Sequence, residues 1–401
     1  MKAAELFIRC LENEGVDYIF GIPGEENLDV MDALLDSSIR FITVRHEQGA
    51  AFMADVYGRL TGRAGVCLAT LGPGATNLIT GVADANMDRA PMLVLTGQGS
   101  TRRLHKESHQ IMDVVAMFEP VTKWATSIVH PDTIPEIVRK AVRLSRTEKP
   151  GAIHIELPED IAKLESDAQP LVPRRYRRYV PDDKIADRAF ELIRAAKRPV
   201  ILAGNGCIRK HASKQLRQLC ERTGIGVIST FMAKGVVDLE KDYCLYTIGL
   251  GSKDLPAVVI DEADLVITLG FDMVEYHPKL WNPNKDKKIL HADFLPAEID
   301  EHYHPQTELV GDLAPGKSLQ VLLVGLGKRV RAVPLGIEIE EFRLRRIDHR
   351  SERRQAGAAD RPRGQPLVQE RVVWRIDGLD VVHLKGRPPA PRPRIVASHI
   401  L

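Results

Sequence analysis

Cysteine is scarce in this chain of 401 residues, with only five residues, odd in number and without a CxxC pair. Such a scattered set argues against a disulfide framework and for a reducing compartment. The sequence also lacks an uninterrupted apolar run long enough to span a bilayer. Its first 15 residues read as an acidic amphipathic helix rather than a signal sequence. We therefore predict a soluble, cytoplasmic protein with no membrane partner.

Asparagine, threonine, tyrosine, cysteine and methionine are all absent from residues 315–401. This tail holds 18 Lys and Arg against 9 Asp and Glu, whereas residues 1–314 hold 38 against 45. Such an abrupt change suggests a shifted reading frame over a GC-rich coding sequence, or an assembly error, and we expect most of the tail to be disordered. The net charge of +9 on this tail would attract phosphate groups. Without interleaved aromatic residues or a recognition motif, however, we do not expect nucleic-acid binding.

Four strand-to-turn junctions follow one another in the first hundred residues, ending at positions 21, 44, 71 and 96. Repeated units of this kind predict a parallel α/β sheet with helices on both faces, whose loops gather at one edge. A Pro-rich basic stretch then reads as a linker, and a Rossmann-like unit follows it. We predict an N-terminal domain at 1–163, a linker at 164–183, a central domain at 184–314 and the aberrant tail at 315–401.

Glu47 lies where a short apolar strand, residues 39–44, turns into a helix that we expect to end at Gly62. Ligand sites of open α/β sheets lie at the carboxyl ends of the strands, which is this position. An acidic residue in a first helical turn also has an ordinary structural explanation, because it offsets the helix dipole. Position alone favours that structural role.

The surrounding motifs carry a resemblance that changes the interpretation. The chain reads IPGEENLD at 22–29, RHEQGAAFMADVYGRLTG at 45–62, LGPGATNL at 71–78 and LTGQ at 95–98. In this order they resemble the pyrimidine-binding domain of thiamine-diphosphate-dependent enzymes of the acetolactate synthase group. The resemblance runs from about residue 1 to residue 314.

This resemblance implies that Glu47 is catalytic. In the family, the matching carboxylate hydrogen-bonds a ring nitrogen of the cofactor's aminopyrimidine and promotes the imino tautomer, which removes the thiazolium proton. The cofactor performs the difficult chemistry, while the protein supplies orientation and proton transfer. We expect a largely buried carboxyl at this position.

Seven further positions match the family pattern. The resemblance places Thr70, Pro73 and Asn77 along the pyrimidine ring and Gly24 on a loop that covers the cofactor of the neighbouring subunit. It implies that Gln110 binds cofactor and that His109 and Lys123 line the substrate side. Each also has an ordinary alternative, with Asn77 as a helix cap, Pro73 as a turn former and Lys123 as a solvated charge. His105 and His109 share a helical spacing, but no third ligand accompanies them and we predict no metal site there.

The central domain raises the question of flavin. Gly204-Asn205-Gly206 follows a predicted strand but lacks the third glycine of a dinucleotide motif. In the family, this domain binds FAD in biosynthetic enzymes and is empty in catabolic ones. Residues 269–281 resemble the flavin-free catabolic type and lack the Arg-Phe-Asp-Asp-Arg pattern of the flavin-binding members. We expect no FAD.

Family members hold Mg²⁺ and the cofactor diphosphate through a Gly-Asp-Gly motif and a later asparagine in a third domain, and this chain contains no such motif. The resemblance implies condensation of two pyruvates to 2-acetolactate, in a homodimer, a tetramer or a mixed oligomer with a full-length homologue. We expect this chain to be inactive alone. The alternatives are a non-catalytic subunit that associates with full-length homologues, or another thiamine-diphosphate-dependent 2-oxo acid decarboxylase or oxidase.

Overall fold

The computed structural model describes residues 1–173, 180–209, 211–249 and 255–313, and two strands within 371–384. Residues 1–335 form one compact unit and residues 336–401 a second one. The described part of the first unit contains two six-stranded sheets, and in both sheets every neighbouring pair of strands is parallel. The predicted α/β fold class with two parallel-sheet domains is therefore confirmed.

The first sheet has the strand order β2-β1-β3-β4-β6-β5. Its strands are β1 (Tyr18–Gly21), β2 (Arg40–Thr43), β3 (Gly65–Ala69), β4 (Met92–Gln98), β5 (Trp124–Ser127) and β6 (Ala152–Pro158). Every residue of β3, β4 and β6 is buried. Central strands of a parallel sheet are covered on both faces, which explains why their sequences are mostly apolar rather than alternating. The buried polar residues of these strands are Thr96, Gln98, His154 and Glu156.

Two apolar layers enclose this sheet. One layer contains α1 (Ala3–Asn13), α2 (Leu28–Leu35), α6 (Ile134–Arg146) and the short α7 (Glu159–Ala162). The other contains α3 (Glu47–Thr61), α4 (Pro73–Met87) and α5 (Val114–Phe118). Successive residues of β3 alternate between the layers, with Val66 and Leu68 in the first and Cys67 and Ala69 in the second. This is the period of two that a strand dictates.

The second sheet has the order β12-β11-β10-β7-β8-β9. Its strands are β7 (Pro199–Ala203), β8 (Gly226–Ser229), β9 (Cys244–Thr247), β10 (Leu265–Leu269), β11 (Lys288–Asp293) and β12 (Thr307–Val310). The helices of this domain are α8 (Asp183–Ala195), α9 (Asn205–Arg209), α10 (Ser213–Thr223) and α11 (Leu255–Glu262). The chain continues from β7 to β8 on one side and returns to β10 on the other, so the strand order reverses between β7 and β10.

Local predictions for the first sheet mostly match these bounds. Helix α3 begins at Glu47 and ends before Gly62, which adopts φ 67°. One local prediction is wrong, because Asn77 neither opens nor caps α4. The helix starts four residues earlier at Pro73, whose fixed φ suits a first helical position. Asn77 therefore lies in the second turn, where its side chain is free for another role.

Parts of the predicted linker and tail lie outside the described residues. The linker residues 164–173 are described, and Leu171 accepts hydrogen bonds from Asn13 and Arg139 through its carbonyl. In the tail, β13 (Arg371–Ile376) and β14 (Leu379–Leu384) form an antiparallel pair. These two strands depart from the expected disorder, whereas the remaining tail residues are not described. The domain boundaries stay predictions.

All five cysteines are free and buried. Burial raises the pKa of Cys10 and of Cys67 to about 12. Among the described residues, no helix is both long enough and apolar enough to cross a membrane.

Candidate active site at the carboxyl edge of the first sheet

Glu47 lies at the carboxyl edge of the first sheet, immediately after β2. It is the first residue of α3, and the Nδ1 atom of His46 accepts a hydrogen bond from the Gln48 amide at 3.2 Å. This histidine cap fixes the start of the helix and thereby the position of Glu47. Because all six strands are parallel, the residues that follow β1, β3 and β4 converge on the same edge.

Asn77 is the hydrogen-bond partner of Glu47. Its Nδ2 atom donates to Glu47 Oε2 at 3.0 Å, and the two side chains come from neighbouring helices, α3 and α4. Asn77 is exposed, and Glu47 is half-buried rather than largely buried as expected. The carboxylate lies at the rim of the sheet, in the first turn of α3.

The second carboxylate oxygen of Glu47 faces Gly74. A Cβ atom placed on Gly74 would stand 3.6 Å from Glu47 Oε1 and 2.9 Å from Thr70 Cγ2. Asn77 is the only described residue that hydrogen-bonds this carboxylate. Oε1 therefore retains its capacity to bind a donor, and the small residue at position 74 leaves room for one.

Thr70 connects the end of β3 to the loop after β1. Its Oγ1 atom donates to Glu26 Oε2 at 2.8 Å. Gly24 packs directly on Thr70, since a Cβ atom on Gly24 would lie 2.4 Å from Thr70 Cβ. The sequence reasoning missed Glu26, although its position in IPGEENLD, two residues after Gly24, was a usable signal.

The loop between β4 and α5, residues 99–113, reaches the start of α4. Gly72, the residue before α4, adopts φ 50° and lies against this loop. A Cβ atom on Gly72 would stand 2.7 Å from the Gln110 carbonyl oxygen. Gln110 itself has φ 55° and is exposed, as is the neighbouring His109. The structure thus brings Gln110 next to Pro73, on the helix that carries Asn77.

Lys123 is not brought to this edge. Its Nζ atom donates to the carbonyl oxygens of Leu144, Thr147 and Lys149, each at 2.7 Å. Its backbone amide donates to Ala152, the first residue of β6, which is in register with the first residues of β4 and β3. Lys123 therefore lies at the amino edge, roughly 15 Å of strand away from the residues that follow β3. Its contacts within this chain close the carboxyl end of α6.

Among the described residues, no group of three or more His, Cys, Asp or Glu side chains is arranged to hold a metal ion.

In the second sheet, the strand order reverses between β7 and β10, which is where a nucleotide would bind in this class of fold. There the glycines bring two loops together instead. Gly206 donates to the carbonyl of Gly270 at 2.9 Å. A Cβ atom on Gly204 would lie 2.4 Å from the same oxygen, and Gly270 has φ 57°. The two loops thus approach each other closely, so these glycines have a packing explanation.

The backbone amide at the start of α9 also has a partner within the chain. Asn205, the first residue of α9, donates its backbone N–H to Glu275 Oε1 at 3.0 Å. The other carboxylate oxygen of Glu275 accepts from the Thr230 hydroxyl. Glu275 is 3% exposed, and burial raises its pKa to about 7. The backbone N–H that opens α9 is thus occupied by a side chain of the same domain.

Residues of the first domain close the same crevice from outside. Asp272 contacts Arg89 at 3.3 Å and Lys149 at 3.4 Å. Although burial by itself raises it, Lys149 and Arg89 hold the pKa of Asp272 below its usual value. Asn205 also donates through its side chain to the Asp88 carbonyl at 3.3 Å. These contacts engage polar groups beside the crevice within the chain itself.

Comparison with known proteins gives a consistent picture. Residues 1–117 match the family described as thiamine pyrophosphate enzyme, N-terminal TPP binding domain, and residues 186–322 match its central domain. The chain is 38% identical over 316 residues to an acetolactate synthase of Bacillus subtilis, covering 78% of this chain and 55% of that protein. It is 38% identical over 322 residues to a probable acetolactate synthase large subunit of Methanocaldococcus jannaschii, covering 78% and 54%.

A catabolic acetolactate synthase of Raoultella terrigena is 37% identical over 346 residues, covering 85% of this chain and 61% of that protein. The chain spans about half the length of the curated relatives it matches.

Proposed function

Since this chain belongs to the thiamine pyrophosphate enzyme family, with that family's N-terminal and central domains, we propose that it serves acetolactate synthase chemistry. The reaction is the decarboxylation of one pyruvate and its condensation with a second pyruvate to 2-acetolactate. The similarity to acetolactate synthases from three organisms supports this reaction class. A cytoplasmic location is part of the same proposal.

The observation that carries the proposal is the Glu47–Asn77 pair at the carboxyl edge. Asn77 holds one oxygen of the Glu47 carboxylate at 3.0 Å and leaves the other open toward Gly74. The open oxygen is suited to share a proton with a ring nitrogen of an aminopyrimidine. Bound thiamine diphosphate would supply a carbon nucleophile and a thiazolium ring able to take up the electrons released in decarboxylation.

The neighbouring residues complete this half of the site. We propose that Thr70, Pro73 and Asn77 lie along the pyrimidine ring and that Gly24 lies on a loop that covers the cofactor of the neighbouring subunit. We further propose that Gln110 contacts the cofactor and that His109 faces the substrate. Gln110 adjoins Gly72 at the start of α4, which supports its assignment. Lys123 donates to three carbonyl oxygens at the carboxyl end of α6, at the opposite edge of the sheet, so we propose a structural role for it in place of the substrate role.

The diphosphate half of the cofactor needs a hard cation with oxygen ligands. The described residues offer no cluster for Mg²⁺. We propose that Mg²⁺ and the diphosphate are held by a partner chain, in a mixed oligomer with a full-length homologue. Exposed apolar residues on α3 support a partner at this face, and they are Phe52, Met53, Val56 and Leu60. An isolated pair of these chains is then inactive.

We further propose that the central domain holds no FAD. The support comes from Glu275, which takes the Asn205 amide, and from the direct contact between Gly206 and Gly270. Absorbance spectra of the purified chain after incubation with FAD and gel filtration test this point. Stoichiometric retention of flavin would refute it.

The central test combines binding and catalysis. The purified chain is titrated by calorimetry with thiamine diphosphate and Mg²⁺, alone and after mixing with a full-length acetolactate synthase, and acetolactate formation is measured in each case. We expect activity to depend on mixing and Glu47→Gln to abolish the contribution of this chain. Glu136→Gln, an exposed change on α6, is the matched control. Unaided turnover of pyruvate by the isolated chain would contradict the mixed-oligomer proposal.

A non-catalytic subunit is the second candidate, because the described residues lack a metal cluster. It predicts that mixing changes the activity of the homologue equally with wild-type chain and with Glu47→Gln. Release of carbon dioxide without acetolactate would instead favour a 2-oxo acid decarboxylase or oxidase.

A further inference from the structure

The loop at residues 99–113 carries His109 and Gln110. Two successive carboxylates accept hydrogen bonds from its first residues. These are Glu159 and Asp160, the first two residues of α7, directly after β6. β6 is the neighbour of β4, from which the loop departs. The carboxyl end of one strand therefore meets the loop that leaves the adjacent strand.

Asp160 makes two hydrogen bonds to Thr101. Its Oδ1 atom accepts from the Thr101 amide at 3.0 Å, and its Oδ2 atom accepts from the Thr101 hydroxyl at 2.6 Å. Although burial by itself raises it, the hydrogen bonds from Thr101 and Ser100 hold the pKa of Asp160 below its usual value. Asp160 is therefore ionised in the neutral pH range, and hydrogen bonds to an ionised acceptor are stronger than neutral ones.

Glu159 grips the same base from the adjacent position. Its Oε1 atom accepts from the Ser100 amide and from Arg103 Nη2, both at 3.1 Å. At the other end of the loop, Gln98 Nε2 donates to the Met112 carbonyl at 3.0 Å and to Glu156 at 2.9 Å. Both ends of the loop are thus held by carboxylates, from Glu156 of β6 at one end and from Glu159 and Asp160 of α7 at the other. Residues 104–107 between them are exposed.

We propose that Asp160 and Glu159 are positioning residues that hold the 99–113 loop so that Gln110 stays against Gly72 at the edge bearing Glu47. The path runs through the backbone, from Asp160 to Thr101, along the loop to Gln110, and from its carbonyl to Gly72. The importance of these hydrogen bonds for the active site rests on the proposed function. The hydrogen bonds themselves do not depend on it, because they form within the isolated chain.

The test uses the full chain with Asp160→Ala, Asp160→Asn and, as a matched control for the lost charge, the exposed Asp167→Ala. Hydrogen exchange is followed by mass spectrometry on peptides covering 99–113 and, separately, β4 and α6. We expect Asp160→Ala to speed exchange in 99–113 by about tenfold, as loss of hydrogen bonds to a charged acceptor implies, with no change in β4 or α6. Asparagine keeps an acceptor for the Thr101 amide, so Asp160→Asn is expected to restore slow exchange.

A second measurement tests whether the hydrogen bonds of Asp160 affect catalysis. In the mixed oligomer, the KM for pyruvate and kcat are determined for the same variants. We expect Asp160→Ala to raise KM several-fold with a smaller effect on kcat, and Asp160→Asn to recover most of the loss. Unchanged exchange in 99–113, or equal acceleration throughout the domain, overturns the positioning role. If no variant or wild type shows activity, the proposed function has failed, and the exchange experiment still decides whether the grip exists.

Discussion

Replacing Lys123 by methionine is the sharpest way to separate a structural lysine from a substrate-binding one. Its ammonium group donates to three carbonyl oxygens, each at 2.7 Å, at and beyond the carboxyl end of α6. Hydrogen bonds to charged groups contribute about 1.5–3 kcal/mol each. Because this lysine is exposed and water replaces part of the interaction, we expect a total loss of about 2–3 kcal/mol rather than their sum.

The assay is urea unfolding followed by circular dichroism, with thiamine diphosphate binding measured on the same samples. In a thermal melt of the same samples, a loss of this size lowers the melting temperature by roughly 5–10 °C for a domain of this length. Lys214→Met removes an exposed charge from α10 and serves as the control, with no expected change. Cofactor affinity in the mixed oligomer is expected to remain within about twofold, since Lys123 lies at the opposite edge of the sheet. Normal stability with lost binding would refute this reasoning.

Further predictions concern the central crevice and the start of α4. Burial raises the pKa of Glu275 from 4.5 to about 7. Between these two pH values the folded state therefore retains a proton that the unfolded chain has lost. The free energy of unfolding should consequently fall by up to about 3 kcal/mol as pH rises from about 4.5 to 7. Glu275→Gln should remove this part of the decrease in urea titrations at several pH values. Gly72→Ala should cost at least about 2 kcal/mol, because a side chain at its positive φ is strained and meets Gln110. Gly49→Ala, in the open first turn of α3, should instead stabilise by about 0.5 kcal/mol in the same unfolding assay.

Sequence reasoning was most successful where a local rule determines the structure. The span from Glu47 to Gly62 was readable because apolar spacing, an acidic first turn and a terminal glycine all indicate one helix. Strand β4 was readable because its first four residues, 92–95, are all apolar and a turn signal follows them. The parallel sheet followed from the repeated junctions.

Long-range contacts were beyond those rules. Nothing in the local sequence of Lys123 indicates three carbonyls that lie 21 to 26 residues later. Asn77 was misplaced because asparagine is a common helix cap, whereas Pro73 had already started the helix. Glu275 was invisible as a partner of Asn205, since 70 residues separate them and only the fold brings them together.

The contacts of Asp272 with Arg89 and Lys149, and of Arg209 with Glu148, join two segments of the first domain to the central one. Both bridges are at least half shielded from water, so a partner left behind would become an uncompensated buried charge. Engineers who exchange the central domain for that of a relative should therefore transplant residues 88–89 and 148–149 with it. A domain exchange made at the linker alone would leave these ion pairs without their partners.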